Sequence, residues 1–373
     1  MKYYIIAGEA SGDLHASNLM KGLFKEDPDA DIRFWGGGMM ASVGGTMVRD
    51  YAEGAVMGVS DIIAKADKLL GNLSYCKKDI LEWNPDVVIL VDYPGFNFKI
   101  AEFAHKRGFK VFYYIAPKTW ASREGRNRKL KKYIDALFIV FPFEKEYFDS
   151  KGINYIYAGN PLVDAVDNYE AQRLVDGKYI AILAGSRKGE ISRMMPVCME
   201  VAKKMHAEEK YKDYKFLVAG APARSAEDYS PYIEGCGDYV KLFFGKTYDI
   251  MKYAESAIIN SGTASLEAVL LGTPQVVGWS TSKLTIFFAR HIMKVDVKYI
   301  SLGNLIIDKF AFQELVQEDF TTENVLAETK KLLENDEYRQ VMLDDYSKIR
   351  EALGGSGASQ AVAAEMVLKL KNF

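Results

Sequence analysis

Short apolar runs alternate with longer helical patterns along this chain, and the alternation constrains its fold more than any other feature. Segments that are apolar on both faces are typical of parallel strands, because helices cover such strands from both sides. The sequence therefore predicts an α/β protein with doubly wound, Rossmann-like parallel sheets. The strand candidates are YYIIA, IRFWG, VVILVD, VFYYIA, LFIVF and YIYAG, followed by YIAILAG, FLVAG, VKLFF, AIIN and QVVGW. Helical patterns between them include residues 14–25, 97–107, 193–207 and 264–271.

The length of the chain and one polar stretch predict two domains. With 373 residues, 49% of them hydrophobic, the chain is long enough for two separate cores. A polar stretch at 164–177 interrupts the strand pattern, so we expect an N-terminal domain at 1–165 and a C-terminal domain at 166–355. A helical pattern at 356–373 could cross back to the first domain. Ligands of open parallel sheets bind beyond the carboxyl ends of the strands, which predicts a site in a cleft between the two domains.

Charge and metal-ligand patterns exclude several classes of function. The 48 Lys and Arg residues balance 50 Asp and Glu residues, so the sequence predicts no nucleic-acid partner. The cysteines, Cys76, Cys198 and Cys236, form no C-x-x-C motif, and the four histidines have no ligand spacing. A D-x-D motif occurs at Asp27 and Asp29, in a polar turn that we interpret as a solvated loop. We therefore predict no metal and no cofactor.

The cellular location follows from the apolar runs and from the cysteines. The amino terminus becomes polar after six residues, which is too short for the core of a signal peptide. No uninterrupted apolar run approaches the roughly 20 residues that cross a bilayer, and unpaired cysteines fit a reducing cytosol. We expect a soluble protein that can still touch a membrane surface.

The segment 260–278 predicts an anion site. A short strand at 256–260 leads through Ser261, Gly262 and Thr263 directly into a helix, whose unpaired N–H groups and dipole attract negative charge. Glu267 follows one turn later, where its carboxylate can accept hydroxyl groups of a sugar. An anion site next to an acceptor of sugar hydroxyl groups suits a nucleotide, and more specifically a nucleotide sugar. The alternative is an ordinary helix of an α/β core with Glu267 at its surface.

A second glycine turn, GSRKGE at 185–190, repeats the arrangement of strand, glycine and helix. Gly185 and Ser186 form the turn, and Arg187 lies inside it. A guanidinium binds phosphate oxygens with fixed geometry. We expect Arg187 to face the turn at Ser261 and to hold a diphosphate from the other side.

The first strand ends in AGEASGD at 7–13, which predicts a third turn at the ligand edge. Gly8 and Gly12 bracket this turn, Glu9 lies within it, and Ser11 and Asp13 are suited to cap the following helix. Neither this loop nor the triple glycine at 36–38 has the dinucleotide spacing G-x-G-x-x-G. Simple strand-to-helix turns remain the alternative for both.

The strand VVILV delivers Asp92 at its carboxyl end, and the Pro94-Gly95 pair then turns the chain out of the sheet. Apolar neighbours raise the pKa of such a carboxyl, so Asp92 could act as a general base toward an alcohol. The alternative is an aspartate that caps a helix from Asn97.

Two further segments could contact a membrane. Ile62, Ile63, Leu69 and Leu70 fall at helical spacing on one face, which indicates either core packing or an apolar surface for acyl chains. A basic run at 123–132 is either a solvated face or a surface for phosphate groups and anionic lipid.

Seven motifs, in order over nearly the whole chain, together resemble the lipid-A-disaccharide synthase family. They are AGEASGD, AVMGVSDI (55–62), VDYPGFN (91–97), PFEKEYF (142–148), GSRKGEI, NSGTASLE and SLGNLI (301–306). The resemblance implies an inverting glycosyltransferase of family 19 with a B-type fold, in which two Rossmann-like domains surround a cleft. It also implies a cytoplasmic enzyme that associates peripherally with the inner membrane. A homodimer is compatible with the resemblance but is not implied by it.

The resemblance further implies substrates and roles for individual residues. The donor is UDP-2,3-diacylglucosamine, the acceptor is 2,3-diacylglucosamine 1-phosphate, and the products are the β-1,6 disaccharide of lipid A and UDP. Asp92 matches the family's proposed base, Arg187 and Glu267 match its nucleotide-sugar contacts, and Asn304 matches a polar position important for activity. Gly95 stands where the family often has an acidic residue, which leaves Asp92 as the only carboxylate of its loop.

Two other functions fit the same residues. The chain could be a different B-type enzyme, either a transferase that uses UDP-N-acetylglucosamine or a UDP-sugar 2-epimerase. It could also be a module that binds nucleotide sugars or lipids without catalysis.

Overall fold

A computed structural model describes residues 1–51, 62–120, 124–281 and 298–373. The chain divides into two compact units. Unit 1 comprises residues 1–165 and 353–373, and unit 2 comprises residues 166–352. Each unit contains one parallel sheet, so the predicted fold class, two α/β domains with parallel sheets, is confirmed.

The sheet of unit 1 has seven strands in the order β3-β2-β1-β4-β5-β6-β7. Its central strand β4 is completely buried, as expected for a strand covered on both faces. The strands are β1 (Lys2–Ala7), β2 (Asp31–Gly36), β3 (Thr46–Asp50), β4 (Val87–Val91), β5 (Lys110–Tyr114), β6 (Ala136–Ile139) and β7 (Ile156–Tyr157). The helices are α1 (Ala10–Glu26), α2 (Gly38–Val43), α3 (Ile62–Trp83), α4 (Pro94–Lys106), α5 (Asn127–Tyr133), α6 (Phe143–Ser150) and α7 (Pro161–Asp167), which ends in unit 2.

The sheet of unit 2 has six strands in the order β10-β9-β8-β11-β12-β13. Its strands are β8 (Tyr179–Leu183), β9 (Lys215–Gly220), β10 (Val240–Phe244), β11 (Ser256–Asn260), β12 (Gln275–Trp279) and β13 (Glu314–Val316). Its helices are α8 (Lys188–His206), α9 (Ser230–Ile233), α10 (Thr247–Lys252), α11 (Thr263–Leu271), α12 (Leu302–Ile307), α13 (Thr322–Glu334) and α14 (Asp336–Leu353).

The last helix, α15 (Ala358–Lys371), belongs to unit 1. It packs on α1 so closely that a Cβ atom added to Gly22 would lie 2.7 Å from the Cβ atom of Ala363. The Asp164 carboxylate accepts a hydrogen bond from the Ser359 N–H at 2.7 Å and another from the Gly357 N–H, which fixes the start of the helix. Asp164 is therefore a buried residue of α7, and the polar stretch at 164–177 begins inside this helix.

No helix in the described part of the chain is long and apolar enough to cross a membrane.

Candidate functional site

The loops that the sequence singles out lie at the two points where the strand order reverses. In unit 1 this point lies between β1 and β4, and the adjoining loops carry Gly8 and Asp92. In unit 2 it lies between β8 and β11, and the adjoining loops carry Gly185 and Gly262. Parallel sheets bind ligands beyond the carboxyl ends of the strands at such switch points. The topology therefore brings the predicted residues of each unit to its ligand edge.

The start of α11 is open. Gly262 is its N-cap residue, and no side chain caps the helix. Gly262 and Thr263 are both exposed. The Ser261 and Ser265 hydroxyls donate to the carbonyls of Ile300 and Gly262, at 3.1 and 2.8 Å, rather than toward solvent. The first N–H groups of the helix are thus available to an anion, whereas the Ser261 hydroxyl is already engaged.

The turn before α8 is held by Glu190 of the first turn of the helix. The Glu190 carboxylate accepts hydrogen bonds from the Ser186 and Arg187 N–H groups at 2.9 and 3.1 Å. The Arg187 guanidinium donates to the same carboxylate at 2.9 Å. The N–H groups of Ser186 and Arg187 therefore already have a partner in this structure, and binding of the nucleotide sugar by Gly185 and Ser186 stays a prediction.

The Arg187 side chain remains a candidate for binding phosphate because 78% of its surface is exposed. The turn before it adjoins the end of β11, since a Cβ atom added to Gly185 would lie 2.9 Å from the Asn260 amide nitrogen. Gly185 has a φ of 97°, a left-handed conformation that favours glycine.

Glu267 lies on the first turns of α11 and is held by Tyr248 of α10. The Tyr248 hydroxyl donates to Glu267 Oε1 at 2.9 Å, and the Tyr248 ring packs edge-on against Tyr169 with the centroids 5.1 Å apart. Burial raises the pKa of the Glu267 carboxyl above its usual value, and the Tyr248 hydrogen bond lowers it in part. Sequence analysis missed Tyr248, because α10 precedes the strand before α11 and only the packing of the two helices brings the side chains together.

We expect Tyr248→Phe to weaken the binding of UDP by about two- to tenfold, the range for one hydrogen bond. Without the phenol the Glu267 carboxylate loses its orientation and its pKa rises, so the loss of affinity should grow as the pH falls. Isothermal titration with UDP at several pH values measures both effects. Tyr253→Phe is the matched control, because it removes a hydroxyl at the end of α10 that donates to the Ala171 carbonyl instead. Equal affinity in both variants would contradict this role of Tyr248.

Asp92 follows β4 in an unusual backbone conformation. Its φ is 43° and that of Tyr93 is 47°, so two successive non-glycine residues are left-handed. The Asp92 N–H donates to the Tyr114 carbonyl at 3.0 Å. The Asp92 carbonyl accepts from the Tyr113 hydroxyl at 2.6 Å and from the Asn97 amide at 2.7 Å. The strained turn is therefore fixed by its neighbours, and α4 begins at Pro94 with Tyr93 as the N-cap residue, rather than at Asn97.

The electrostatic surroundings of Asp92 suit a base. Burial raises the pKa of its carboxyl above the ordinary value, Lys118 opposes this shift and Glu9 adds to it. Glu9 is exposed and is the N-cap residue of α1. Asp92 is the only carboxylate of the loop after β4, as the sequence predicts. The loop after β1 supplies a second carboxylate, Glu9, close enough to affect the pKa of Asp92. A carboxyl with a raised pKa is a stronger proton acceptor once it is ionised.

The glycines of the loop after β1 permit close packing. A Cβ atom added to Gly8 would lie 2.3 Å from the Tyr93 ring, and one added to Gly12 would lie 3.3 Å from the Ala7 Cβ atom. Ser11 is exposed on the first turn of α1. The loop therefore brings the backbone of β1 directly against the residue that follows Asp92.

Asp13 does not cap α1, which corrects the sequence expectation. It is buried, and its carboxylate accepts hydrogen bonds from the N–H groups of Gly37, Met39 and Met40 at 2.8 to 3.1 Å. These groups lie at the start of α2, so a carboxylate of the protein itself takes up the N–H groups at the triple glycine.

Asn304 is fully buried in α12. Its amide nitrogen donates to the Phe312 carbonyl at 3.1 Å and to Glu314 Oε1 at 2.8 Å. Its oxygen accepts from the Ala311 and Phe312 N–H groups at 2.8 and 3.3 Å. The full hydrogen-bonding capacity of the side-chain amide is used within unit 2, so these contacts indicate a structural role, and a contact of Asn304 with substrate stays a prediction.

We expect Asn304→Ala to lower the free energy of unfolding by about 2–4 kcal/mol, because four buried hydrogen bonds lose their partner. Denaturant unfolding measures the change, and the exposed Asn168→Ala is the control. UDP affinity of the folded variant should stay within about twofold of the unchanged protein. A variant of normal stability that no longer binds UDP would show instead that Asn304 contacts the ligand.

The candidate membrane segments are partly described. Leu70 of α3 is 59% exposed, Leu69 packs against the core, and the side chains of Ile62 and Ile63 lie outside the described part. On α5 the basic residues at 128, 129, 131 and 132 are exposed, whereas Leu130 is buried.

The D-x-D motif contributes to the packing of unit 1, because the Asp27 carboxylate accepts hydrogen bonds from the amino terminus at 2.8 Å and from the Tyr3 hydroxyl. Among the described residues, no group of three or more His, Cys, Asp and Glu side chains could hold a metal ion.

Comparison with solved structures identifies the fold. UDP-GlcNAc 2-epimerase of Methanocaldococcus jannaschii, solved with UDP-GlcNAc and UDP, aligns over 100% of both chains with a TM-score of 0.65 and 15% identity. The calicheamicin glycosyltransferase CalG4 aligns over 100% of this chain and 98% of its own, with a TM-score of 0.60 and 13% identity. The chain therefore has the B-type fold that glycosyltransferases share with UDP-sugar epimerases.

Sequence comparison gives the family. A family model described as lipid-A-disaccharide synthetase matches residues 3–367. Lipid-A-disaccharide synthase of Syntrophus aciditrophicus is 35% identical, over 98% of this chain and 97% of its own. That of Trichlorobacter lovleyi is 32% identical, over 96% and 95%. The chain belongs to the lipid-A-disaccharide synthase family, which confirms the predicted family and the predicted class of enzyme, a glycosyltransferase.

Proposed function

We propose that this protein is an inverting glycosyltransferase that joins UDP-2,3-diacylglucosamine to 2,3-diacylglucosamine 1-phosphate. The products are the β-1,6-linked lipid A disaccharide 1-phosphate and UDP. The observation that carries the proposal is the family match, which extends over nearly the whole chain rather than over one domain. The open helix start in unit 2 and the raised carboxyl pKa in unit 1 support the two chemical roles that such a reaction requires.

Unit 2 is the proposed nucleotide-sugar domain. The pyrophosphate of UDP binds the first N–H groups of α11 at Gly262 and Thr263, where no side chain caps the helix. Glu267 accepts hydroxyl groups of the donor, and Arg187 adds a guanidinium to the phosphate oxygens. These contacts stabilise the negative charge that UDP gains as it leaves.

Unit 1 is the proposed acceptor domain, and Asp92 is its general base. The Asp92 carboxylate takes the proton of the acceptor 6-hydroxyl while the oxygen attacks the anomeric carbon of the donor. The new C–O bond forms as the bond from the anomeric carbon to the UDP oxygen breaks, with inversion at that carbon. The loop at Gly8 to Gly12 lines the same edge of the sheet and contributes Glu9 near the base.

The substrates carry acyl chains, so the proposal includes a peripheral association with the cytoplasmic surface of the inner membrane. The exposed Leu70 on α3 and the basic face of α5 support it, because apolar and cationic side chains both favour contact with an anionic lipid surface.

Mass analysis of products tests the function directly. The protein is incubated with UDP-2,3-diacylglucosamine and 2,3-diacylglucosamine 1-phosphate, and we expect the disaccharide 1-phosphate and UDP in equal amounts. A second incubation omits the acceptor. Because an epimer has the same mass as its substrate, proton NMR follows this second incubation, and conversion of the UDP-sugar would favour the epimerase. Binding of UDP without any disaccharide would favour a non-catalytic module.

A further inference from the structure

Lys118 lies at the ligand edge of unit 1 and has no role in the function proposed so far. It is an exposed residue of the loop after β5, the strand that pairs with β4 on the side away from β1. The register places Tyr114 opposite Val91, so the loop leaves the sheet next to Asp92. The Lys118 ammonium is near enough to lower the pKa of both the Asp92 and the Glu144 carboxyls.

The loop that carries Lys118 has a fixed conformation. At its start Ile115 is left-handed, with a φ of 62°, and its N–H donates to the Phe138 carbonyl at 3.1 Å. Thr119 is buried directly after Lys118. At its end the Trp120 indole donates to Glu144 Oε1 at 3.2 Å and packs edge-on against Phe143. The chain therefore presents the lysine from a loop that is anchored on both sides.

Glu144 is the anchor of this loop. It is 1% exposed, and its Oε2 accepts from the Val140 and Phe141 N–H groups at 3.0 Å each. Burial raises the pKa of its carboxyl to about 7, and Lys118 is among the groups that oppose the shift. The left-handed turn at Ile115, the Trp120 indole and the Glu144 carboxylate thus hold the loop that brings the Lys118 cation to the edge where Asp92 lies.

The negative charge of Asp92 and Glu9 at this edge opposes binding of the phosphate group of the proposed acceptor. A phosphate monoester carries close to two negative charges at neutral pH, and it would be repelled by Asp92 and Glu9. A lysine ammonium binds phosphate as a compact point charge with three donors. Lys118 is placed to offset the repulsion while the sugar hydroxyl lies at Asp92.

We propose that Lys118 binds the anomeric phosphate of the acceptor and makes the enzyme selective for sugar phosphates over uncharged glycosides. This inference rests on the proposed function, since it assigns the acceptor to the edge that carries Asp92. The competing role is electrostatic only, in which Lys118 tunes the pKa of Asp92 and contacts no substrate.

The experiment compares two acceptors, 2,3-diacylglucosamine 1-phosphate and the methyl glycoside of the same diacylated sugar. The ratio of their kcat/KM values measures selectivity for the phosphate. We expect Lys118→Gln to reduce this ratio by roughly 10- to 100-fold, the range for one charge-assisted hydrogen bond. Lys118→Arg, which keeps the charge, should restore most of the ratio.

The tuning role predicts a different result. Loss of the Lys118 charge raises the pKa of Asp92, so the acid limb of the pH profile would move to higher pH for both acceptors alike. Measured on the plateau above this limb, the ratio would then equal that of the unchanged protein, and the proposal would be wrong. Lys106→Gln controls for the loss of a surface charge, because Lys106 is exposed at the far end of α4 and pairs with Glu102 at 2.8 Å. Its ratio should not change.

The outcomes for Lys118 and for the proposed function are separable. If the unchanged protein forms no disaccharide from either acceptor, the proposed function fails. If it forms disaccharide from both and Lys118→Gln leaves the ratio intact, only the role of Lys118 fails. Circular dichroism and UDP affinity, the latter for unit 2, show whether Lys118→Gln is folded. If Lys118→Gln is not folded, the ratio measured with Lys118→Arg tests the role of the Lys118 charge.

Discussion

Asp92→Asn is expected to lower kcat by roughly 10²–10⁴-fold, the usual contribution of a general base. Asparagine is nearly isosteric with aspartate but cannot accept the proton of the attacking hydroxyl. The backbone contacts that fix the turn at Asp92 use its N–H and carbonyl groups, and the substitution leaves both in place. The loss should therefore appear in turnover, while UDP binds in unit 2 with nearly unchanged affinity.

The pH profile gives an independent readout of the same group. Asp92 must be ionised to accept a proton, and burial raises its pKa above the ordinary value of 3.8. Activity should therefore fall as the pH drops through this raised pKa, at a higher pH than for a solvent-exposed aspartate. Glu9→Gln removes a neighbouring negative charge, so it should lower the pKa of Asp92 and move the acid limb to lower pH.

Initial rates with saturating donor and acceptor, together with calorimetric titration of UDP, measure these effects. Asp29→Asn, an exposed substitution in the turn after α1, is the control and should retain full turnover. Normal turnover of Asp92→Asn would remove Asp92 from the mechanism. A parallel loss of UDP affinity would point to a damaged fold instead.

The fold class was predictable because burial on both faces leaves a clear trace in sequence. Every residue of β4, from Val87 to Val91, is completely buried, and the sequence of this strand, VVILV, is an uninterrupted apolar run. The strands Thr46–Asp50 and Glu314–Val316 were missed. Both lie at the edge of a sheet and are short or partly exposed, so their sequences lack such a run.

The positions of the candidate residues were predictable, but their partners were not. A polar residue after an apolar run must lie near the carboxyl edge of a parallel sheet, which is why Asp92, Arg187 and Glu267 could be selected. Hydrogen-bond partners depend on which elements pack together. Asp13 has the composition of a cap for its own helix, yet the neighbouring strand order places three N–H groups of α2 within its reach.

Buried amides are a further limit of sequence reasoning. Asn304 lies within the motif SLGNLI, which resembles a functional one, but the sequence does not distinguish a fully hydrogen-bonded amide from a ligand-binding amide. Only the contacts of the side chain distinguish a residue that shapes a loop from one that touches substrate.

Arg187→Ala is expected to weaken UDP binding by roughly 10- to 100-fold and to lower kcat as well, because a charge-assisted contact to phosphate contributes about 1.5–3 kcal/mol. In the present structure the guanidinium pairs with Glu190 while most of its surface is exposed. An exposed ion pair contributes only about 0–1 kcal/mol, so exchange of this partner for a pyrophosphate is favourable.

At this turn Glu190 occupies the Ser186 and Arg187 N–H groups, and the exposed Arg187 side chain is the group that the substitution tests. Glu190 keeps its hydrogen bonds to the Ser186 and Arg187 N–H groups when the guanidinium is removed, so the free energy of unfolding should fall by less than about 1 kcal/mol. Lys188→Ala is the matched control, since it removes the same charge from the next residue of the helix, where Lys188 pairs with Asp228 at 3.0 Å. If both variants lose affinity equally, the effect is one of net charge. Normal UDP affinity in Arg187→Ala would contradict the proposed contact between the guanidinium and the pyrophosphate, and the start of α11 would then be the main proposed phosphate contact.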